Sequence, residues 1–191
     1  MRLVHYLTVM GLAGSLNGQA SILEWPVAEG GNGHFYQLFE NSSRITWVDA
    51  NAEAAQQSYL GRPGYLATIG GAAENAWVFS QFIQGTTGVW LGGAQETRGS
   101  AWYWANGEPW SYSNWAPGQP DGYLGYPEHT LFYNGNSKWD DAPDAWGNRP
   151  SMFLVEYSAV PEPGQVAAMS LILFGMGAWA LRRFLARDSA H

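Results

Sequence analysis

The chain has 191 residues, 46% of them hydrophobic, which leaves room for one domain and its targeting segments but not for a second catalytic domain. Between residues 21 and 160 five Lys and Arg stand against fourteen Asp and Glu, a formal charge of minus nine. That charge repels nucleic acid and anionic lipid and leaves cations and neutral sugars as the natural partners. Cysteine is absent, which excludes disulfides without excluding an oxidising compartment.

Arg2, the uncharged and mostly apolar residues 3 to 16, and the small residues of Gly18-Gln19-Ala20 predict a signal peptide over residues 1–20. An N-terminal core helix is the alternative. Residues 21–32 mix Gly, Pro and acidic residues and read as an arm, with Trp25 tucked against a domain that spans residues 33–158. A strand is expected over 34–39. From Thr46, a capping residue, the pattern becomes helical through Trp47, Ala50, Ala54 and Ala55, and Gly61-Arg62-Pro63-Gly64 is expected to end that helix. A short apolar strand over 65–69 precedes a second helix over 72–82, and Val89-Trp90-Leu91 reads as a buried strand. Beyond it short strands are expected at 101–104, 130–133, 137–140 and 152–157. A stretch of 25 residues from Ala105 to His129 separates two of these, and loops of that length are uncommon unless they bind something.

The last segment, residues 159–191, contains Pro161-Glu162-Pro163, an uncharged span over 166–181, and then Arg182, Arg183 and Arg187. It resembles the PEP-CTERM sorting signal. That resemblance implies processing by an exosortase in a Gram-negative bacterium, with transient anchoring in the inner membrane and release to the envelope or extracellular matrix. A plain C-terminal anchor is the alternative: the span is shorter than the roughly 20 residues that cross a bilayer comfortably, although arginines can snorkel and their position implies a cytoplasmic tail.

Chemistry concentrates in one window. Gln119, Asp121, Glu128, Asp140 and Asp141 fall within 23 residues and are all oxygen donors, which is the ligand type that calcium takes in sets of six to eight. Pro120 lies between two of them, and a cis Gln119-Pro120 bond, which proline permits at small cost, is needed for both side chains to face one cation. Glycoside hydrolysis would need only two of the carboxylates, suitably separated. These are too many and too tightly gathered, and no nucleophile elbow, phosphate loop or zinc spacing is present, so no enzyme is expected. Glu108-Pro109 reads as a turn, and His34 and His129 as structural.

With Trp115, Gln119-Pro120-Asp121, Glu128 and Trp139-Asp140-Asp141, the chain resembles the C-type lectin-like domain. Further matches in the same order are Thr46-Trp47, Gly64 through Ile69, Glu74-Asn75, Trp90-Leu91-Gly92-Gly93, Asn114-Trp115 and Phe153 through Tyr157. The resemblance implies an α+β fold with two helices, a small curled antiparallel sheet and a long calcium-binding loop. It implies calcium held by Gln119, Asp121, Glu128, Asp140 and Asp141. It also implies a carbohydrate partner bound on that ion through Gln119, Asp121, Glu128 and Asp140. Gln-Pro-Asp implies galactose-type glycans, or an exopolysaccharide, with Tyr123 stacking on the sugar and Trp146 in reserve. Two departures stand out: the family's cysteines are missing, and Asp140 replaces the commoner asparagine. The alternative is a structural or adhesive envelope protein that keeps the fold without binding sugar.

Overall fold

The structure is a computed structural model, and it describes residues 21–86, 88–122, 128–144 and 150–159. The expected signal peptide, the sorting segment from residue 160 onward, Tyr123 and Trp146 lie outside the described residues.

The strands are β1 (Leu23–Glu24), β2 (Phe35–Glu40), β3 (Ser58–Tyr59), β4 (Arg62–Leu66), β5 (Val89–Gln95), β6 (Trp102–Trp104), β7 (Glu128–Tyr133), β8 (Trp139–Pro143) and β9 (Met152–Tyr157). Helix α1 is Trp47–Gln56; α2 is Ala72–Val78 and continues into a π-helical turn, Phe79–Ile83. The sheet runs β1-β2-β9-β5-β7-β8. Strand β9 is its axis: β2 covers one edge antiparallel from Phe35↔Tyr157 to Glu40↔Met152. The other edge is shared by β5, parallel at Val89↔Met152, and β4, antiparallel at Leu66↔Val155. The sheet is therefore mixed, where antiparallel pairing alone was expected.

Alternation along these strands builds two cores. Leu154, Leu91, Leu131 and Tyr133 face one side with Val78, Phe82 and Ile83 of the second helical segment, while Phe153, Val155, Trp90 and Phe132 face the other with Trp47, Ala50 and Ala54 of α1. Burying each large side chain contributes about 1.5–3 kcal/mol, which supplies the cohesion that disulfides would otherwise give. Two indole donors are satisfied where the layers meet: Trp47 Nε1 donates to Leu91 O at 2.7 Å and Trp90 Nε1 to Ile45 O at 3.0 Å. Close approach between elements needs glycine, as two positions show. A Cβ on Gly64 would come within 2.7 Å of Ala54 O on α1, and one on Gly92 within 2.5 Å of Leu66 O.

Thr46 caps α1, its Oγ1 accepting from Asp49 N at 3.0 Å. Thr46→Ala is expected to cost about 1 kcal/mol, read as a fall of about 3–5 °C in melting temperature. The helix ends at Gln56, before the glycines expected to stop it, because Gln57 is already extended. Leu60 and Gly61, both at positive φ, instead form the two-residue turn of a hairpin between β3 and β4, the backbone geometry that suits right-twisted strands. Residues 21–32 pack against the domain: β1 pairs with β2, and Trp25 stacks on Trp77 with ring centroids 6.0 Å apart.

Candidate functional site

The site is built on β8 and the loop that follows β6. Trp139 anchors it. Fully buried, this ring lies among Trp104, Trp110, Tyr112 and Trp115. Its Nε1 donates to Asn75 Oδ1 at 2.9 Å, which also accepts from Tyr133 OH at 2.7 Å. The backbone around Trp115 bridges to Trp139 in parallel fashion, with Trp139 N donating to Asn114 O and Ala116 N to Trp139 O. Trp110, whose loop position allows exposure, is instead half-buried in this cluster. The aromatic layer thus delivers residues 114–122 to the strand end where the carboxylates lie.

Because successive strand residues alternate faces, Asp141 shares the side of Trp139 and Asp140 does not. Asp141 is 4% exposed. Its carboxylate accepts from Asp121 N and Gly122 N, both at 3.1 Å. Gln119 Oε1 also accepts from Asp121 N, at 2.9 Å, and the Gln119-Pro120 bond is cis. Each of Asp121, Glu128 and Asp141 offers an oxygen, and these atoms lie within 4.8 Å of one another. Glu128 enters at the start of β7, beside a register shift between Glu128 and Thr130. Asp140 stands outside this group of three, and its Oδ2 accepts from Asn134 Nδ2 at 2.9 Å.

Burial raises the Asp141 carboxyl above its ordinary range, opposed by the backbone N–H groups of Gly122 and Asp121 and reinforced by the charge of Asp121. Asp140 is raised by burial and then by Asp141 and Asp121, so its charge bears on the same site. Among the described residues no Lys, Arg or His forms an ion pair with Asp121 or Asp141. Like charges gathered this closely favour a divalent cation, and an all-oxygen donor set matches calcium better than a metal that prefers nitrogen or sulfur. Asp121, Glu128 and Asp141 would hold the ion, with the Gln119 amide adjacent.

A recess of about 280 Å³ adjoins the cluster, lined in part by Gln95, Arg98, Trp102, Pro120, Asp121 and Asp141. A wider recess of about 910 Å³, near Glu40, Arg44 and Glu53, lies apart from the cluster. No spacing in the sequence ties Gln95 or Arg98 to the carboxylates, although Arg98 is one of only five Lys and Arg between residues 21 and 160.

No protein-family model matches the chain. Among solved structures, the C-type lectin CEL-I from Cucumaria echinata superposes with a TM-score of 0.57 at 23% identity, covering 68% of this chain and 93% of that one. The fold is that of the C-type lectins. A calcium-independent type II antifreeze protein shares it, with a TM-score of 0.51 at 22% identity over 65% of this chain and 88% of that one. In sequence, halomucin of Haloquadratum walsbyi is 29% identical over 67% of this chain but only 2% of its own length. An alpha-N-acetylgalactosamine-specific lectin of Patiria pectinifera is 27% identical over 58% of this chain and 67% of its own. Among the described residues no helix is long and apolar enough to cross a membrane.

Proposed function

We propose that this C-type lectin-like domain binds glycans through one calcium ion and that its preferred ligands are galactose-type sugars. The observation that carries the reading is the convergence of Asp121, Glu128 and Asp141 oxygens within 4.8 Å at the end of an aromatic-anchored strand. Gln119 completes this set, and Asp140, which lies outside the group of three, joins it once its carboxylate leaves Asn134 for the ion, to whose site its charge is already coupled. Two vicinal hydroxyls of the sugar displace water from the ion and donate charge-assisted hydrogen bonds to the same carboxylates, while the Gln119 amide N–H donates to a hydroxyl oxygen, and together these bonds fix the sugar's orientation. Carboxylates this close bind an ion rather than flank a glycosidic bond, since hydrolytic pairs stand roughly 5–10 Å apart.

The galactose preference rests on Gln119-Pro120-Asp121, on the resemblance it carries, and on the name of the Patiria relative. The resemblance assigns stacking on the apolar sugar face to Tyr123, with Trp146 in reserve. The protein is exported, trimmed near residues 20 and 162 by a signal peptidase and an exosortase, and acts in the envelope or matrix.

Affinity columns test the reading. Retention on immobilised galactose in calcium, with release by chelator, is expected, and stronger retention on mannose would overturn the sugar preference. Calcium uptake without retention on any sugar would favour the structural or adhesive role; the calcium-independent antifreeze protein has this fold without depending on the ion.

A further inference from the structure

The hairpin between β5 and β6 holds both sides of the proposed calcium site. Gln95, 5% exposed, donates from Nε2 to Glu128 O at 2.9 Å, and its Oε1 accepts from Gly99 N at 3.2 Å, which ties the turn to the same side chain. The turn is closed further by Ser100 N donating to Thr97 O at 2.9 Å. From that turn Arg98 Nη2 donates to Asp121 O at 3.2 Å. Its stem lies so close over Gly122 that a Cβ there would come within 2.7 Å of Arg98 Nε. Gly122, at φ +51°, is held from the other direction by Asp141. Asp121 and Glu128 lie seven positions apart in the chain, and one short hairpin fastens the backbone of both.

We propose that Arg98 is a positioning residue for the calcium site, fixing through the Asp121 carbonyl and Gly122 the backbone that carries one carboxylate while Gln95 fixes the other. The proposal rests on the calcium reading above. Its sign sets it apart from a bystander charge. A guanidinium lining the same recess as Asp121 and Asp141 repels a divalent cation held there, so if it did nothing else its removal would tighten calcium binding. Positioning predicts the reverse, because groups that orient metal ligands typically change affinity by 10- to 100-fold when lost.

The test is calcium titration by calorimetry on the wild-type protein, Arg98→Met and Arg98→Lys, with melting temperatures in chelator alongside. Arg98→Met keeps the stem and removes the donors. It is expected to raise the calcium dissociation constant about 10-fold and to leave the chelator melting temperature unchanged, since Arg98 is exposed. Arg98→Lys, which restores a donor, is expected to recover part of that loss. Unchanged or tighter binding in Arg98→Met would overturn the proposal while leaving the calcium site standing. No calcium uptake by the wild-type protein would instead remove the reading beneath it. A matching fall in the chelator melting temperature would mark Arg98 as a general structural residue and also overturn it.

Discussion

Calcium at a hundred times its dissociation constant is expected to stabilise the domain by about 2.7 kcal/mol, and Asp141→Asn to abolish that gain. On a domain of this size the shift is about 8–13 °C in melting temperature. Asp141 is the decisive position because it is the buried member of the cluster and the acceptor for the backbone of both Asp121 and Gly122. Asparagine keeps an acceptor oxygen but removes the charge. Without calcium the variant relieves repulsion with Asp121 but loses one of the two backbone acceptors, so its melting temperature in chelator sets its own baseline and the calcium-induced shift is read against it. With calcium the parent should gain and the variant should not. Differential scanning calorimetry of both proteins in calcium and in chelator reads all four states. Equal calcium-induced shifts in parent and variant would remove Asp141 from the ligand set, and no shift in either would remove the site.

The parts of this fold that were legible in the sequence are those whose signals are local. Thr46 before Asp49 marks a helix start whatever the rest of the chain does, and residues 152–157 match β9 because an apolar run between turn residues suits a strand buried on both faces. Where a residue type has two uses, the local pattern does not decide between them. Gly61-Arg62-Pro63-Gly64 looks like a helix stop, but the turn lies one step earlier and Arg62, Pro63 and Gly64 belong to β4. The cause is tertiary: β9 offers an unpaired edge at Glu156 and Tyr157, and residues 64 and 65 fill it. In the same way β8 lies at Trp139–Pro143 rather than 137–140, displaced by its pairing with β7.

That displacement matters for the candidate site. Both Asp140 and Asp141 belong to the sequence window, but only the strand's alternation tells which of them shares a face with Trp139 and meets Asp121. The window also shows ligand types without the groups that hold them. Arg98 and Gln95 lie more than 20 residues upstream of Asp121 and Glu128 respectively, and only the hairpin's approach to the loop brings them together. Spacing along the chain could not have revealed that contact.

A separate buried cluster, away from the carboxylate site, is expected to make the protein lose stability as pH rises from about 4.5 to 7.5, by about 3 kcal/mol. Glu156 of β9 is 1% exposed. Its Oε1 meets His34 Nδ1 at 2.5 Å and accepts from Tyr36 OH at 3.3 Å, while Oε2 accepts from Thr68 N at 2.8 Å. Glu74 of α2 joins through Tyr36 OH and through Gly70 N at 2.7 Å. Tyr65 of β4 and Glu108 complete the charged and titratable surroundings. Burial raises Glu156 to about 7, with Glu74 adding to the rise and His34 opposing it. Glu74 is raised too, chiefly by burial. His34 would be lowered by burial, but its bond to Glu156 and the charges of Glu156, Glu108 and Glu74 outweigh that and raise it. All three groups thus hold protons more tightly in the folded chain than in the unfolded one. For a raised pKa the stabilising contribution is complete below the unfolded value, 4.5 for Glu156 and 6.5 for His34. It is lost as pH climbs through the folded value, so the sign is a decline toward neutral pH. Glu156→Gln imitates the protonated acid and should flatten the decline. Urea unfolding at half-unit steps from pH 4.5 to 8, in chelator, gives the two curves. A parent whose stability is level or rises over that range would show that Glu156 is ionised at its ordinary pKa inside the core, and a variant with the parent's slope would place the titrating group elsewhere.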